Sequence, residues 1–227
     1  MNIKETYIQI RKEIPEYVDI VVAAKQRTSE EVLTIIEAGA LHIGENYIQE
    51  AEAMYKALGD KAKKVRWHMI GDLQKNKINK AVKMFDVIQT IDSLEKAIEI
   101  DKRVANAGKD KVSVYIEINI AEEPAKSGLM PDDKLLEEVV RNIAKLEHLS
   151  LEGLMTMGPV VSFPEQLRPY FRKTKQMFDK IRSLNIENVN LKTLSMGMSD
   201  SYKVAIEEGA NMLRLGTILF GPRKYKS

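Results

Sequence analysis

Lys25 closes an apolar run, Ile20-Val21-Val22-Ala23-Ala24-Lys25. An amine at the end of such a run is partly desolvated, which disfavours the ammonium form and frees the lone pair that attacks a carbonyl. The competing reading is a lysine whose charge snorkels back into water. A second cluster lies far along the chain, where Ser195-Met196-Gly197-Met198-Ser199 and Gly216-Thr217 each follow a short apolar run. Small residues there let backbone N–H groups approach a phosphate, and a helix N-terminus adds a favourable partial charge. Two ordinary turns, with Ser199 as a helix cap, fit the same letters. Arg214 stands inside Met212-Leu213-Arg214-Leu215 and shares a strand face with Gly216. A buried guanidinium must be paired, by a structural partner or by a ligand. Asn46 and His68 could donate hydrogen bonds to the same place, although His68 also fits a satisfied core histidine. His42, His68 and His148 have no metal-ligand spacing, so no metal site is expected.

These residues need elements that bring them together. Apolar runs occur at Ile20–Ala24, Leu41–Ile43, Trp67–Ile70, Asp86–Ile91, Val112–Ile120, Leu151–Met157, Thr193–Met196 and Met212–Leu215. Many are rich in Val and Ile without polar alternation, as parallel strands covered on both faces are. Helix starts follow several of them: Thr28-Ser29-Glu30-Glu31, Asp92-Ser93-Leu94-Glu95 and Ser162-Phe163-Pro164-Glu165. Ala38-Gly39, Ala107-Gly108 and Glu208-Gly209 supply stops. A further helix over about residues 3–13 precedes the first run. Strand and helix alternating in this way give a parallel sheet, closed into a (β/α)₈ TIM barrel or left open and doubly wound. No Gly-x-Gly-x-x-Gly follows the first strand, which favours the barrel. In such a barrel the strand C-termini form the active face, and phosphate is held after strands seven and eight. Every candidate above then falls on or near that face. No linker interrupts the pattern, so residues 1–227 read as a single domain.

Composition narrows the classes of function. The 35 basic and 33 acidic side chains nearly balance, giving a net charge of +2. That offers no electrostatic footprint for nucleic acid. The densest basic stretch, Lys61–Arg66, reads as a solvated turn. The sequence has no cysteine, which excludes disulfides, a thiolate nucleophile and a Cys-based zinc site. The polar start Met1-Asn2-Ile3-Lys4-Glu5-Thr6 is unlike a signal peptide, and no apolar run approaches the ~20 residues that span a bilayer. No membrane contact is expected, and the expected location is cytoplasmic.

Seven segments together resemble the pyridoxal-phosphate homeostasis family. They are Val22-Ala23-Ala24-Lys25, Ile43-Gly44-Glu45-Asn46-Tyr47, Trp67-His68-Met69-Ile70-Gly71-Asp72-Leu73-Gln74-Lys75-Asn76-Lys77, Lys126-Ser127-Gly128, Leu151-Glu152-Gly153-Leu154-Met155, Leu194-Ser195-Met196-Gly197-Met198-Ser199-Asp200 and Arg214-Leu215-Gly216-Thr217. Each is weak alone, but in order along the chain they are specific. The resemblance implies a barrel like the N-terminal domain of alanine racemase and pyridoxal 5′-phosphate as cofactor. It implies a Schiff base on Lys25, a phosphate held by Ser195, Gly216 and Thr217 with Met196 beside them, and Arg214 facing the ring nitrogen. Asn46 and His68 complete the implied cofactor contacts. Gln26-Arg27 and Asp72 depart from the residues common in the family, at positions that do not hold the cofactor.

That resemblance also sets the expected activity. Pyridoxal phosphate is an electron sink when its ring nitrogen is protonated, whereas arginine can only donate to that nitrogen and leaves it unprotonated. Alanine racemase tolerates this but uses a second base from a C-terminal β-domain. Here the eighth run ends at Leu215 and the sequence at Ser227, so no such domain is expected. The expectation is a monomeric carrier of pyridoxal phosphate in vitamin B6 homeostasis, not an enzyme, with apo-enzymes as recipients. A weak amino-acid racemase and a Schiff-base aldolase for a phosphorylated sugar are the alternatives. Lys126, a second lysine near a strand end, has no assigned role.

Overall fold

The computed structural model describes residues 2–222. Eight parallel strands close into a barrel in sequence order. They are β1 Asp19–Ala23, β2 His42–Glu45, β3 Arg66–Met69, β4 Val87–Ile91, β5 Val112–Ile118, β6 Leu149–Thr156, β7 Val189–Ser195 and β8 Met212–Leu215. Closure comes from β1 pairing with β8, Val21 opposite Arg214 and Val22 opposite Leu215. This settles the choice between closed barrel and open sheet. The helices are α1 Ile3–Glu13, α2 Ser29–Glu37, α3 Ile48–Leu58, α4 Ile78–Met84, α5 Leu94–Asn106, α6 Asp133–Ile143, α7 Arg168–Ser183, α8 Tyr202–Glu207 and α9 Thr217–Phe220.

Side-chain alternation along the strands divides the interior into two cores. Residues facing the helices join one large cluster that includes Ile20, Val22, Ile43, Trp67, Ile88, Val114, Leu154, Leu194 and Leu213. Residues facing the barrel axis form a small one: Val21, Ile70, Val87, Tyr115, Met155 and Met212. The longer helices dock by a stripe at helical spacing, as α6 does with Leu136, Val139, Val140 and Ile143. Local signals set the helix starts. Thr28 and Glu31 form a reciprocal capping box at α2. Ser93 Oγ accepts the Lys96 N–H at α5. The expected box at Ser162 is displaced by one residue. There the Phe163 N–H donates to Gln166 at the head of a short 3₁₀ turn, Pro164–Leu167, that leads into α7. Proline fixes the backbone of the first turn, which moves the cap position to Phe163. The helix stops fall where expected, at Gly39, Gly108 and Gly209, all with positive φ. No described helix is long and apolar enough to cross a membrane.

Candidate functional site at the C-terminal mouth

The ladder of β1 runs one residue past the strand, the Ala24 N–H donating to Gly44 O at 2.9 Å. The chain then turns. Gln26 takes a positive φ of 60°, and its N–H donates to Glu50 on α3 at 3.1 Å. This turn leaves Lys25 half-buried on the rim, with Nζ 5.2 Å from the centroid of the Tyr47 ring. The ring face is an attractive seat for an amine held away from carboxylates. Asn46, half-buried at the end of β2, lies against Gly71 so closely that a Cβ there would come within 2.5 Å of Asn46 O.

Across the mouth, β7 and β8 deliver the second cluster. Ala23, Met198, Ser199, Asp200, Arg214, Gly216, Thr217 and Ile218 line one cavity of about 560 Å³. Gly197 makes the turn that shapes it: φ is +95°, and a Cβ would stand 2.5 Å from Ala205 Cβ. The Ser199 hydroxyl accepts the N–H groups of both Gly216 and Ile218 at 3.2 Å. Two backbone donors thus converge on one oxygen, the arrangement an anion oxygen needs. Thr217 opens α9 with an exposed side chain.

The remaining expected residues sit elsewhere. Ser195 is fully buried; its hydroxyl accepts from Arg214 and donates to Gln89 at 2.7 Å. Met196 is buried in the helix-facing core, and its N–H is used by Met212 O. His68 is fully buried inside the barrel, hydrogen-bonded to Gln89 and His42, and does not line the mouth cavity. Lys126, on the loop after β5, is paired with Glu123 at 2.6 Å.

Arg214 is held on three sides, donating to Ser195 O at 2.9 Å, Ser195 Oγ at 2.8 Å and Thr156 O at 2.8 Å. Burial lowers its pKa to about 10, partly offset by Glu117, so it stays charged at neutral pH. Glu117 faces the same interior from β5, and burial pushes its carboxyl up to about 7 against the pull of Arg214. Sequence reading missed Glu117 and Gln89. The signal was a single charge in Val112-Ser113-Val114-Tyr115-Ile116-Glu117-Ile118 and a single amide in Val87-Ile88-Gln89-Thr90-Ile91.

A closed parallel barrel with a lysine just after β1 and a buried arginine on β8 defines a barrel of the alanine racemase type. The sequence matches the family described as alanine racemase, N-terminal domain, over residues 2–224. It is 39% identical over 205 residues to the pyridoxal phosphate homeostasis protein of Aquifex aeolicus, covering 89% of this chain and 86% of the relative. The protein of the same name from Escherichia coli K12 is 34% identical over 216 residues, with 93% and 88% covered. The chain belongs to this family, the pyridoxal phosphate homeostasis proteins with an alanine-racemase-type barrel. Among solved structures, PipY of Synechococcus elongatus without pyridoxal phosphate superposes with a TM-score of 0.90 at 30% identity, covering 96% of this chain and all of that one. PipY with pyridoxal phosphate bound gives 0.87 at 28% identity, with 96% and 100% covered. Alanine racemase of Clostridium difficile gives 0.81 at 19% identity over 57% of its length, a likeness of fold.

Proposed function

We propose that this protein holds pyridoxal 5′-phosphate at the C-terminal mouth of the barrel and serves as its carrier in vitamin B6 homeostasis. The observation that carries the reading is the convergence of Gly216 and Ile218 N–H groups on one oxygen in the cavity that Arg214 also lines. The residues present fit the group. Those two N–H groups, with the Ser199 hydroxyl, suit a phosphate. Arg214 suits a ring nitrogen that accepts a hydrogen bond. Lys25 suits an aldehyde, which its amine would hold covalently. In this reading Ser195 serves by orienting Arg214, and Ser199 is the serine at the phosphate. Asn46 closes the side of the mouth nearest Lys25.

The cofactor supplies an electron sink when bound, and its strength depends on the charge of the ring nitrogen. Arg214 can only donate and would leave that nitrogen unprotonated, which would disfavour carbanion chemistry and favour storage. The relatives carry the name of homeostasis proteins, in keeping with a carrier that passes cofactor to apo-enzymes. Mixing the protein with pyridoxal phosphate should produce the visible absorbance of a Schiff base. Borohydride reduction and peptide mapping should place the label on Lys25, and Lys25→Ala should abolish the band. A label on Lys126 alone would overturn the assignment. Exchange of the alanine α-proton at enzyme-like rates would overturn the carrier reading. Transfer to an apo-enzyme no faster than free diffusion, measured with an aldehyde trap, would remove the delivery role.

A further inference from the structure

A line of hydrogen bonds runs through the barrel from Arg214 to the opposite face. Arg214 Nη1 donates to Ser195 Oγ at 2.8 Å, and Ser195 Oγ donates to Gln89 Oε1 at 2.7 Å. Gln89 Nε2 lies 2.9 Å from His68 Nδ1, and His68 Nε2 lies 2.9 Å from His42 Nδ1. His42 Nε2 points toward Asp19, 3.8 Å from Oδ1, and the ring lines the cavity at the N-terminal ends of the strands. Six strands contribute: β8, β7, β4, β3, β2 and β1. Ser195, Gln89 and His68 are fully buried.

The direction of every bond follows from the first. Arginine has donors and no acceptor. Ser195 Oγ therefore accepts from Arg214 and gives its one proton to Gln89. That fixes Oε1 of Gln89 toward Ser195 and turns the amide N–H toward His68. A neutral imidazole that accepts at Nδ1 carries its proton on Nε2. His68 then donates to His42 Nδ1, and His42 in turn carries its own proton on Nε2. Both rings are held neutral by burial, and Arg66 disfavours charge on each. The line cannot reverse, because reversal would require Arg214 to accept. It is a polarised clamp and carries no proton from end to end.

We propose that Ser195, Gln89, His68 and His42 are positioning residues for Arg214, and that His42 controls this hold from the face opposite the cofactor. The proposal rests on the reading of Arg214 as a cofactor contact. A proton on His42 Nδ1 would set two donors against each other at the His68 contact, and the line would break there. The charged and titratable groups facing His42 are Asp19 from β1, and Arg66 and His68 from β3. Asp19 favours the proton and Arg66 opposes it.

The test begins without cofactor. The chain has three histidines, so ¹⁵N-histidine labelling gives a spectrum that single His→Gln variants can assign. At pH 7 His42 and His68 should both be neutral with the proton on Nε2. A proton on Nδ1 of either ring, or a charged ring, would overturn the proposal. The second arm is pyridoxal phosphate affinity. His42→Leu removes the acceptor for His68 and should weaken binding about five- to tenfold, while His42→Asn, whose side-chain oxygen can accept in place of Nδ1, should stay within about twofold. If His42→Leu fails to fold, wild type decides: its cofactor dissociation should quicken as His42 acquires its proton in the ¹⁵N spectrum. Equal affinity in both variants, or dissociation indifferent to that proton, overturns remote control. No binding by wild type at all would instead sink the cofactor reading, leaving the tautomer result to stand by itself.

Discussion

Replacing Glu45 by glutamine should flatten the dependence of stability on pH. Glu45 ends β2 on the helix-facing side, fully buried, with neither carboxyl oxygen meeting a hydrogen-bond partner. It borders a small cavity shared with Gln26, Ser29 and Glu50. Burial, reinforced by Glu50 and opposed by the nearby Asn46 N–H, raises its pKa from 4.5 to about 8. The folded carboxyl thus keeps its proton where the unfolded chain has lost it. With more protons bound in the fold, stability falls as pH rises from about 4.5 toward 8. The slope is about 1.4 kcal/mol per pH unit at most, so between pH 5 and 7 this one group removes about 2–3 kcal/mol. Glutamine keeps the shape and has no proton to lose. Its own buried amide adds an offset that does not vary with pH, and Glu117 contributes alike to both proteins. Urea unfolding at pH 5, 6 and 7 should therefore show the difference, variant minus wild type, growing by about 2–3 kcal/mol in favour of the variant. Parallel profiles would show that Glu45 titrates in the fold as it does in water, and the reasoning from burial would fail.

Two further substitutions test the mouth. Gly197→Ala places a side chain at φ +95° and 2.5 Å from Ala205 Cβ; thermal unfolding should report a loss of about 1–3 kcal/mol, and an unchanged melting point would refute the strain. Ser199→Ala and Ser195→Ala should separate the two serines when pyridoxal phosphate and phosphate-free pyridoxal are compared. The first should weaken only the phosphorylated form, about tenfold for a lost bond to a charged group. The second, by loosening Arg214, should weaken both, and the opposite pattern would return the phosphate to Ser195.

The barrel was legible because its strands are apolar on both faces, and because turn and cap residues punctuate them at regular intervals. Closure was legible less directly, through the missing Gly-x-Gly-x-x-Gly and the family resemblance, since the pairing of Val21 with Arg214 joins the first strand to the last and leaves no local trace. Strand β7 starts at Val189, earlier than the apolar run Thr193–Met196, because Asn190 and Lys192 are exposed and make its first half resemble a loop. In the site, residue type was readable but direction was not. Ser195 and Ser199 differ by four positions, yet one belongs to a strand and the other to a turn with Gly197 between them. Strand alternation puts Thr193 and Ser195 on the interior face, the face Arg214 occupies on β8. Parity thus marks Ser195 as a partner for the arginine, a signal that the reading of Ser195 as a phosphate residue passed over. The interior polar groups show the deeper limit. His42 meets His68 across 26 positions, His68 meets Gln89 across 21, and Gln89 meets Ser195 across 106. A buried polar group announces that it needs a partner. Which partner it takes is decided by barrel closure, and once closure is known, the donor-only chemistry of Arg214 fixes every proton on the line.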